Sequence, residues 1–150
     1  MNYWLIKSEP FKWSWDDHKK KKVEHWDGVR NYQARNMLMD EMKKGDLAFF
    51  YHSSCKIPGV VGIMEIVTKG YPDPTAFDPE HKYYDPKSKP DKPAWYLVDV
   101  KFKRKLKRVI PLVELRDEKP LRNMRLLQKG NRLSVMPVTK KEWEYILGLE

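Results

Sequence analysis

Residues 26–53 read WDGVRNYQARNMLMDEMKKGDLAFFYHS, an approach loop, a helix and a buried strand in close succession. Asp27-Gly28 is a turn signal. Asn31 is placed to cap a helix, because its side-chain oxygen can accept an amide proton left free at a helix start. Behind it Ala34, Met37, Leu38 and Met42 recur at helical spacing and form one apolar stripe. Lys43 and Lys44 put cations at the negative end of the helix dipole, and Gly45 tolerates the positive φ with which a helix commonly ends. Leu47 to Tyr51 follows as an apolar strand leading into His52 and Ser53. Polar and aromatic side chains therefore bracket one short helix. Trp26, Arg30, Asn31, Tyr32 and Arg35 lie before or along it, and Tyr51, His52 and Ser53 after it, an arrangement from which pockets are built.

Toward the N-terminus, Tyr3 to Ile6 is an aromatic and aliphatic run typical of a core strand, stopped at Ser8-Glu9-Pro10, where proline cannot continue a central ladder. Lys7 and Ser8 thus stand where a strand opens into a loop. Phe11, Trp13 and Trp15 alternate ahead of Asp16-Asp17 and the run His18-Lys19-Lys20-Lys21-Lys22. A phosphate contact or localisation signal is one reading of that run, and a solvated loop or helix face is the simpler one.

Toward the C-terminus, Cys55 to Gly59 is a turn and Val60 to Val67 a strand. Gly62 within it signals a bulge, or else the close approach of a backbone or ligand. Residues 70–94 hold six of the eleven prolines along with Tyr71, Phe77, Tyr83 and Tyr84, and those aromatics should dock part of this excursion on the body. Trp95 to Lys105 alternates, with Tyr96, Val98, Val100 and Phe102 on one face and Asp99, Lys101 and Lys103 on the other. Lys103, Arg104, Lys105, Lys107 and Arg108 make the densest positive patch. It could track a phosphate backbone, with the salt sensitivity that counterion release brings, or serve as a charged edge that discourages sheet-to-sheet pairing. Leu112 to Gln128 reads as short helical or irregular structure interrupted by Pro120, and Arg132 to Val138 as a last strand. Thr139-Lys140-Lys141-Glu142 is a capping box opening a final helix that buries Trp143, Ile146 and Leu147.

The 150 residues are most simply one domain, 1–150, long enough to bury a core. No apolar run is long enough to span a bilayer and no signal-peptide segment opens the chain, so the expectation is a soluble protein of the cytoplasm, or of the nucleus in a eukaryote, without a membrane partner. Cys55 stands alone and suits a reducing compartment. With no Cys or His cluster at ligand spacing, neither a metal nor a cofactor is expected. The net charge of +9, from 30 Lys and Arg against 21 Asp and Glu, makes nucleic acid the leading partner class, although lysines that merely face water give the same sum. The oligomeric state has no signature in the sequence.

A catalytic reading needs a nucleophile with a base, or two carboxylates in different environments. The local candidates are His52 with Ser53, Ser8 with Glu9, and Cys55. Adjacent residues on a strand point to opposite faces, nothing marks Cys55 as a low-pKa thiol, and there is no phosphate-binding glycine loop, metal motif or serine elbow. No catalytic residue is assigned.

Binding asks for less. An extruded base is held by stacking on aromatic rings, hydrogen bonds to its polar edge and cations on the flanking phosphates. Trp26 and Tyr32 can stack; Lys7, Ser8, Asn31, His52, Ser53 and Ser134 can hydrogen-bond; Arg30, Arg35 and Arg132 can supply charge. An apolar wall against a methyl or hydroxymethyl group would add about 1 to 3 kcal/mol of discrimination. Each residue also has a structural role open to it. Trp26 could be core packing, Tyr32 and Arg35 a clamp of helix on sheet, Asn31 only a cap, and Arg132 a partner for Glu9.

The block Trp26 to Asn36, with Tyr3 to Pro10 and Arg132-Leu133-Ser134-Val135, resembles the EVE domain family over essentially the whole chain. The resemblance implies an α+β, PUA-like mixed β-barrel of about five to six strands flanked by short helices, related to the YTH readers of methylated adenine. Trp26 then corresponds to the first tryptophan of the YTH aromatic cage and Ile6-Lys7-Ser8 to its strand-end motif. Gly62 resembles the glycine of the strand beside that pocket, and residues 70–94 would be an ordered excursion acting as a lid or wall. The implied function is a nucleic-acid-binding module that reads a methylated or hydroxymethylated base in DNA or RNA by flipping it into the pocket. The alternative is an enzyme or small-ligand protein of nucleotide or RNA metabolism with His52 as acid or base. A purely structural interaction protein comes third.

Overall fold

The computed structural model describes residues 1–150. Its strands are β1 (Tyr3–Ser8), β2 (Val23–His25), β3 (Leu47–His52), β4 (Gly59–Ile66), β5 (Tyr71–Pro72), β6 (Tyr96–Leu97), β7 (Asp99–Pro111) and β8 (Val135–Val138), and its helices α1 (Trp15–Lys21), α2 (Tyr32–Asn36), α3 (Leu112–Arg116) and α4 (Lys140–Leu147). Six strands form one mixed sheet in the order β2-β7-β4-β3-β1-β8, curled into a half-barrel, while β5 and β6 pair separately. No helix is long and apolar enough to cross a membrane.

The parallel pair β1 and β3 sets the geometry. Ile6 lies beside Phe50 and Ser8 beside His52, so both strands end at the same rim. The Ser53 amide donates to the Ser8 carbonyl at 2.9 Å, and the Lys7 amide to the Ser134 carbonyl at 2.8 Å. Three segments far apart in sequence are thereby fixed at one edge by backbone alone. The ladder residues that recur as apolar in the sequence, Leu5, Ile6, Phe49, Phe50 and Met64, are at most 0% exposed, as expected of strands covered on both faces. Burial on that scale, about 25 cal/mol per Å² of apolar surface, is what holds the sheet together.

Local expectations hold along this core. Asn31 caps α2, its Oδ1 accepting from the Ala34 amide at 3.0 Å. Ala34, Met37, Leu38 and Met42 are all buried. The helix itself differs from its expectation: after Asn36 it widens into a π turn over Met37–Glu41, closed by the Met42 amide on the Met37 carbonyl at 2.8 Å. Gly45 has φ +98° but sits in the turn into β3, with its amide on the Ile66 carbonyl, and does not cap the helix. Thr139 and Glu142 form the expected capping box of α4, which lays Trp143 flat on Phe49, centroids 3.9 Å apart.

The alternating segment from Trp95 divides in two. Tyr96 and Leu97 pair with β5, and β7 then runs 13 residues straight through the basic stretch. Its ladder with β4 slips twice, between Val60 and Gly62 and between Ile63 and Met64, which bends the sheet. At Gly62 both readings apply, with the approach made by a side chain: an added Cβ would lie 2.2 Å from the Trp15 ring. Trp15 thus plugs the half-barrel through a gap that only glycine leaves, packing on Phe50 and Phe102. The last strand is shorter than expected, beginning at Val135, because residues 132–134 turn up to the rim.

Candidate nucleic-acid interface

A cleft of about 730 Å³ opens where β1 and β3 end. Lys7, Ser8 and Glu9 enter it from the end of β1, Ser53 and Ser54 from the end of β3, and Arg132 and Ser134 from the approach to β8. Trp26 through Arg30 form one wall, Lys12 and Trp13 come from the loop before α1, and His81, Lys82 and Tyr83 come from the excursion. The excursion therefore supplies a wall. Of the residues expected at the site, the cleft gathers Lys7, Ser8, Trp26, Arg30, Ser53, Arg132 and Ser134.

Three of its cations, Lys7, Lys82 and Arg132, form no ion pair, and Lys82 lies over the Tyr83 ring at 5.1 Å. Lys7 is half-buried and forms no ion pair, and burial lowers its pKa; Arg132 is exposed and likewise unpaired. The pairing of Arg132 with Glu9 is not made, since Glu9 holds Lys12 at 3.0 Å. Arg30 lines the cleft, but its guanidinium is occupied. It reaches Asp73 at 3.0 Å and the Tyr83 carbonyl at 2.7 Å, and lies over the Trp95 ring at 5.4 Å. Arg30 is therefore a staple between the approach loop and the excursion. Asp73, wholly buried, would have its pKa raised by desolvation alone, yet hydrogen bonds from Thr75, the Gly28 amide and Arg30 hold it below the usual range. The Ser8 hydroxyl is also spent, donating to the Trp13 carbonyl.

Asn31, Tyr32, Arg35, Tyr51 and His52 stand outside the cleft. Asn31 is used as the cap. Tyr32 stacks on Trp95 at 4.8 Å, and Arg35 covers Tyr32 at 5.0 Å while donating to the Ala94 carbonyl at 2.8 Å. This is a clamp, made on the excursion and not on the sheet. Tyr51 is buried, which pushes its phenol up to about 12. His52 accepts the Trp15 amide on Nε2 at 3.0 Å, and burial lowers its pKa, so its lone pair is already used and it has no access to a substrate in the cleft.

The basic run on β7 does not line the cleft. Arg104 pairs with Glu150 at 2.6 Å, Arg108 with Glu114 and Lys103 with Glu65 at 3.6 Å. Lys105 and Lys107 alone carry unpaired charge there.

The lysine run behaves as a solvated helix face, with Lys19 to Lys22 exposed on or just after α1. Its first member does not. His18 is 0% exposed and neither ring nitrogen has a partner. It stands edge-on to Trp13 and to Trp26, each at 6.4 Å, and against Phe50 at 5.7 Å, so it spaces the two tryptophans of the cleft. Its i, i+3 spacing from Trp15 was the available signal, since such residues share a helix face.

Burial depresses the His18 pKa from 6.5 to about 4. The unfolded chain binds this proton more readily, so stability is full above pH 6.5 and is lost as pH falls toward 4. The expected loss is about 2 to 3 kcal/mol. Urea unfolding at pH 7 and pH 4.5 measures it, and an equal acid loss in His18→Phe would remove His18 as the cause.

Of the other cleft residues, Tyr83 belongs to the aromatics expected to dock the excursion and Asp27 to the expected turn, while Trp13, His81 and Lys82 were not expected at the site. Gly28 shows why: it has φ +80°, and a Cβ there would lie 2.4 Å from the Tyr83 ring. The turn was legible, the neighbour 55 positions later was not.

The EVE domain model matches residues 2–149. Mouse thymocyte nuclear protein 1 is 49% identical over 99% of this chain and 74% of its own length. A protein of known structure from Pseudomonas syringae superposes with TM-score 0.93 at 50% identity, covering 98% of both chains. Human THYN1, solved in complex with 5-methylcytosine-containing DNA, superposes with TM-score 0.94 at 46% identity, covering 99% of this chain and 97% of that one. With a whole-length family match and relatives this similar, the chain belongs to the EVE domain family.

Proposed function

We propose that residues 1–150 act as one nucleic-acid-binding module that reads a modified base turned out of its stack into the cleft. The observation that carries this is the cleft itself, which puts the half-buried Trp26 ring beside the unpaired cations Lys7 and Arg132, in a chain that shares its fold with a human relative solved on 5-methylcytosine DNA. Stacking and edge hydrogen bonds recognise an extruded base, and cations hold its phosphates. The unpaired Lys105 and Lys107 on β7 add a second, nonspecific contact with the backbone. Placement in the cytoplasm, or in the nucleus of a eukaryote, is part of the same proposal.

The test is a tryptophan-fluorescence titration with matched oligonucleotides, DNA and RNA, plain or carrying one methylated cytosine or adenine, at two salt concentrations. Saturable quenching selective for one modification is expected, with a salt slope set by a few phosphate contacts. Equal, salt-labile binding to every oligonucleotide would reduce the cleft to part of a basic surface.

A further inference from the structure

Three carboxylates face the cleft, and two are engaged. Glu9 holds Lys12 at 3.0 Å, and Glu24 holds Lys21 at 2.7 Å while accepting the His25 amide. Asp27 is different. It directly follows Trp26 in the cleft wall and is half-buried, its backbone amide is tied to the His25 carbonyl at 3.0 Å, and its carboxylate receives no hydrogen bond and no ion pair from the protein. Asp73 and Glu24 repel its charge and Arg30 attracts it, but Arg30 is already committed to Asp73. Burial, with the repulsion of Asp73 and Glu24, raises its pKa. An unpaired carboxylate in a partly desolvated position is costly unless a donor reaches it. The unsatisfied acceptor thus belongs to the residue that adjoins Trp26 in the cleft wall.

We infer that Asp27 is the specificity residue of the cleft, accepting the exocyclic amino group of the flipped base and so selecting amino-bearing over oxo-bearing bases. This rests on the base-reading function proposed above. 5-Methylcytosine and thymine share a ring and a 5-methyl group, so an apolar wall cannot separate them. They differ in the groups at positions 4 and 3. Cytosine offers an N4 amine that a carboxylate accepts, whereas thymine sets its O4 acceptor against the carboxylate and keeps N3–H as its one donor. A proton shared between the carboxyl group and cytosine N3 gives the pair a second bond.

The experiment compares single-stranded DNA oligonucleotides identical except for one 5-methylcytosine or one thymine, titrated against wild type, Asp27→Asn and Asp27→Ser. Circular dichroism checks that each variant is folded. Using single strands removes the difference in flipping cost between a paired and a mismatched base. Wild type should prefer 5-methylcytosine by about 10-fold to 100-fold, the range that one good edge contact supplies. In Asp27→Asn, whose amide can donate to O4, the ratio should fall to near unity or invert, and in Asp27→Ser it should fall with 5-methylcytosine affinity. An unchanged ratio in both folded variants overturns the role of Asp27 and leaves the cleft reading intact. A wild-type protein with no preference among bases overturns both.

Discussion

Asp73→Ala should lower stability by about 3 to 5 kcal/mol, the cost of breaking a buried pair by removing one partner. Asp73 is 0% exposed and its two oxygens serve four donors: the Gly28 amide at 2.9 Å, Arg30 at 3.0 Å, and the Thr75 amide and hydroxyl at 2.9 and 2.6 Å. Truncation strands the Arg30 guanidinium, whose side chain is only 23% exposed, and leaves the Gly28 amide without its acceptor. For a chain of this size the loss corresponds to a fall in Tm of roughly 10 °C. Asp73→Asn keeps the shape and part of the hydrogen bonding and should cost less. Because Arg30 also holds the Tyr83 carbonyl, the variant should lose the excursion wall first, seen as faster amide exchange in residues 70–94 than in β1 or β3. Thermal melts and exchange decide it, and a shift below about 2 °C would mean that the excursion is held elsewhere.

Trp26→Ala should abolish discrimination between plain and modified oligonucleotides, with a fall in affinity of about 10-fold to 100-fold, since stacking on an aromatic ring contributes about 1 to 3 kcal/mol per base. The ring also packs edge-on to Phe50 at 5.7 Å, so some stability goes with it. That loss should be smaller than in Asp73→Ala, because Trp26 is half-buried and leaves a gap open to solvent, not a closed cavity. Tyr32→Ala is the control. Tyr32 is 61% exposed and stacks on Trp95 away from the cleft, so selective binding should survive there. Global unfolding of Trp26→Ala by circular dichroism, or equal loss of selectivity in Tyr32→Ala, would reassign Trp26 to the core.

Features specified by neighbours in sequence could be read from the sequence. The Asn31 cap, the apolar stripe behind it, the β3 run and the Thr139 capping box each depend on residues within a few positions. What escaped depends on distant partners. Arg30 looked like a free cation because Asp73 lies 43 positions away. His52 looked like an acid or base because the amide that occupies it belongs to Trp15, 37 positions earlier. Tyr32 looked like a stacking platform because Trp95, on which it is already stacked, is remote. His18 was counted with the lysines beside it, although the face of α1 it shares with Trp15 turns inward. The widening of α2 into a π turn carried no local warning either. Family resemblance recovered the general location of the cleft but not which residues are already committed within it.

The parallel pairing of β1 and β3 has a consequence for change over time. Parallel neighbours cannot be joined by a tight turn, so the chain must leave the sheet and return by a long crossover. Here that crossover is residues 9–46, and it contains Trp13, His18, Trp26, Asp27 and Arg30. One stretch of chain therefore supplies the Trp26 wall of the cleft along with core residues such as Trp15 and Leu38, while the strands beneath it carry the rest of the core. Substitutions in the crossover outside β2 can alter ligand preference without disturbing the ladder of β1 with β3. The frame is in this sense separable from the reader mounted on it, and a family built this way can diversify its ligands while keeping one sheet.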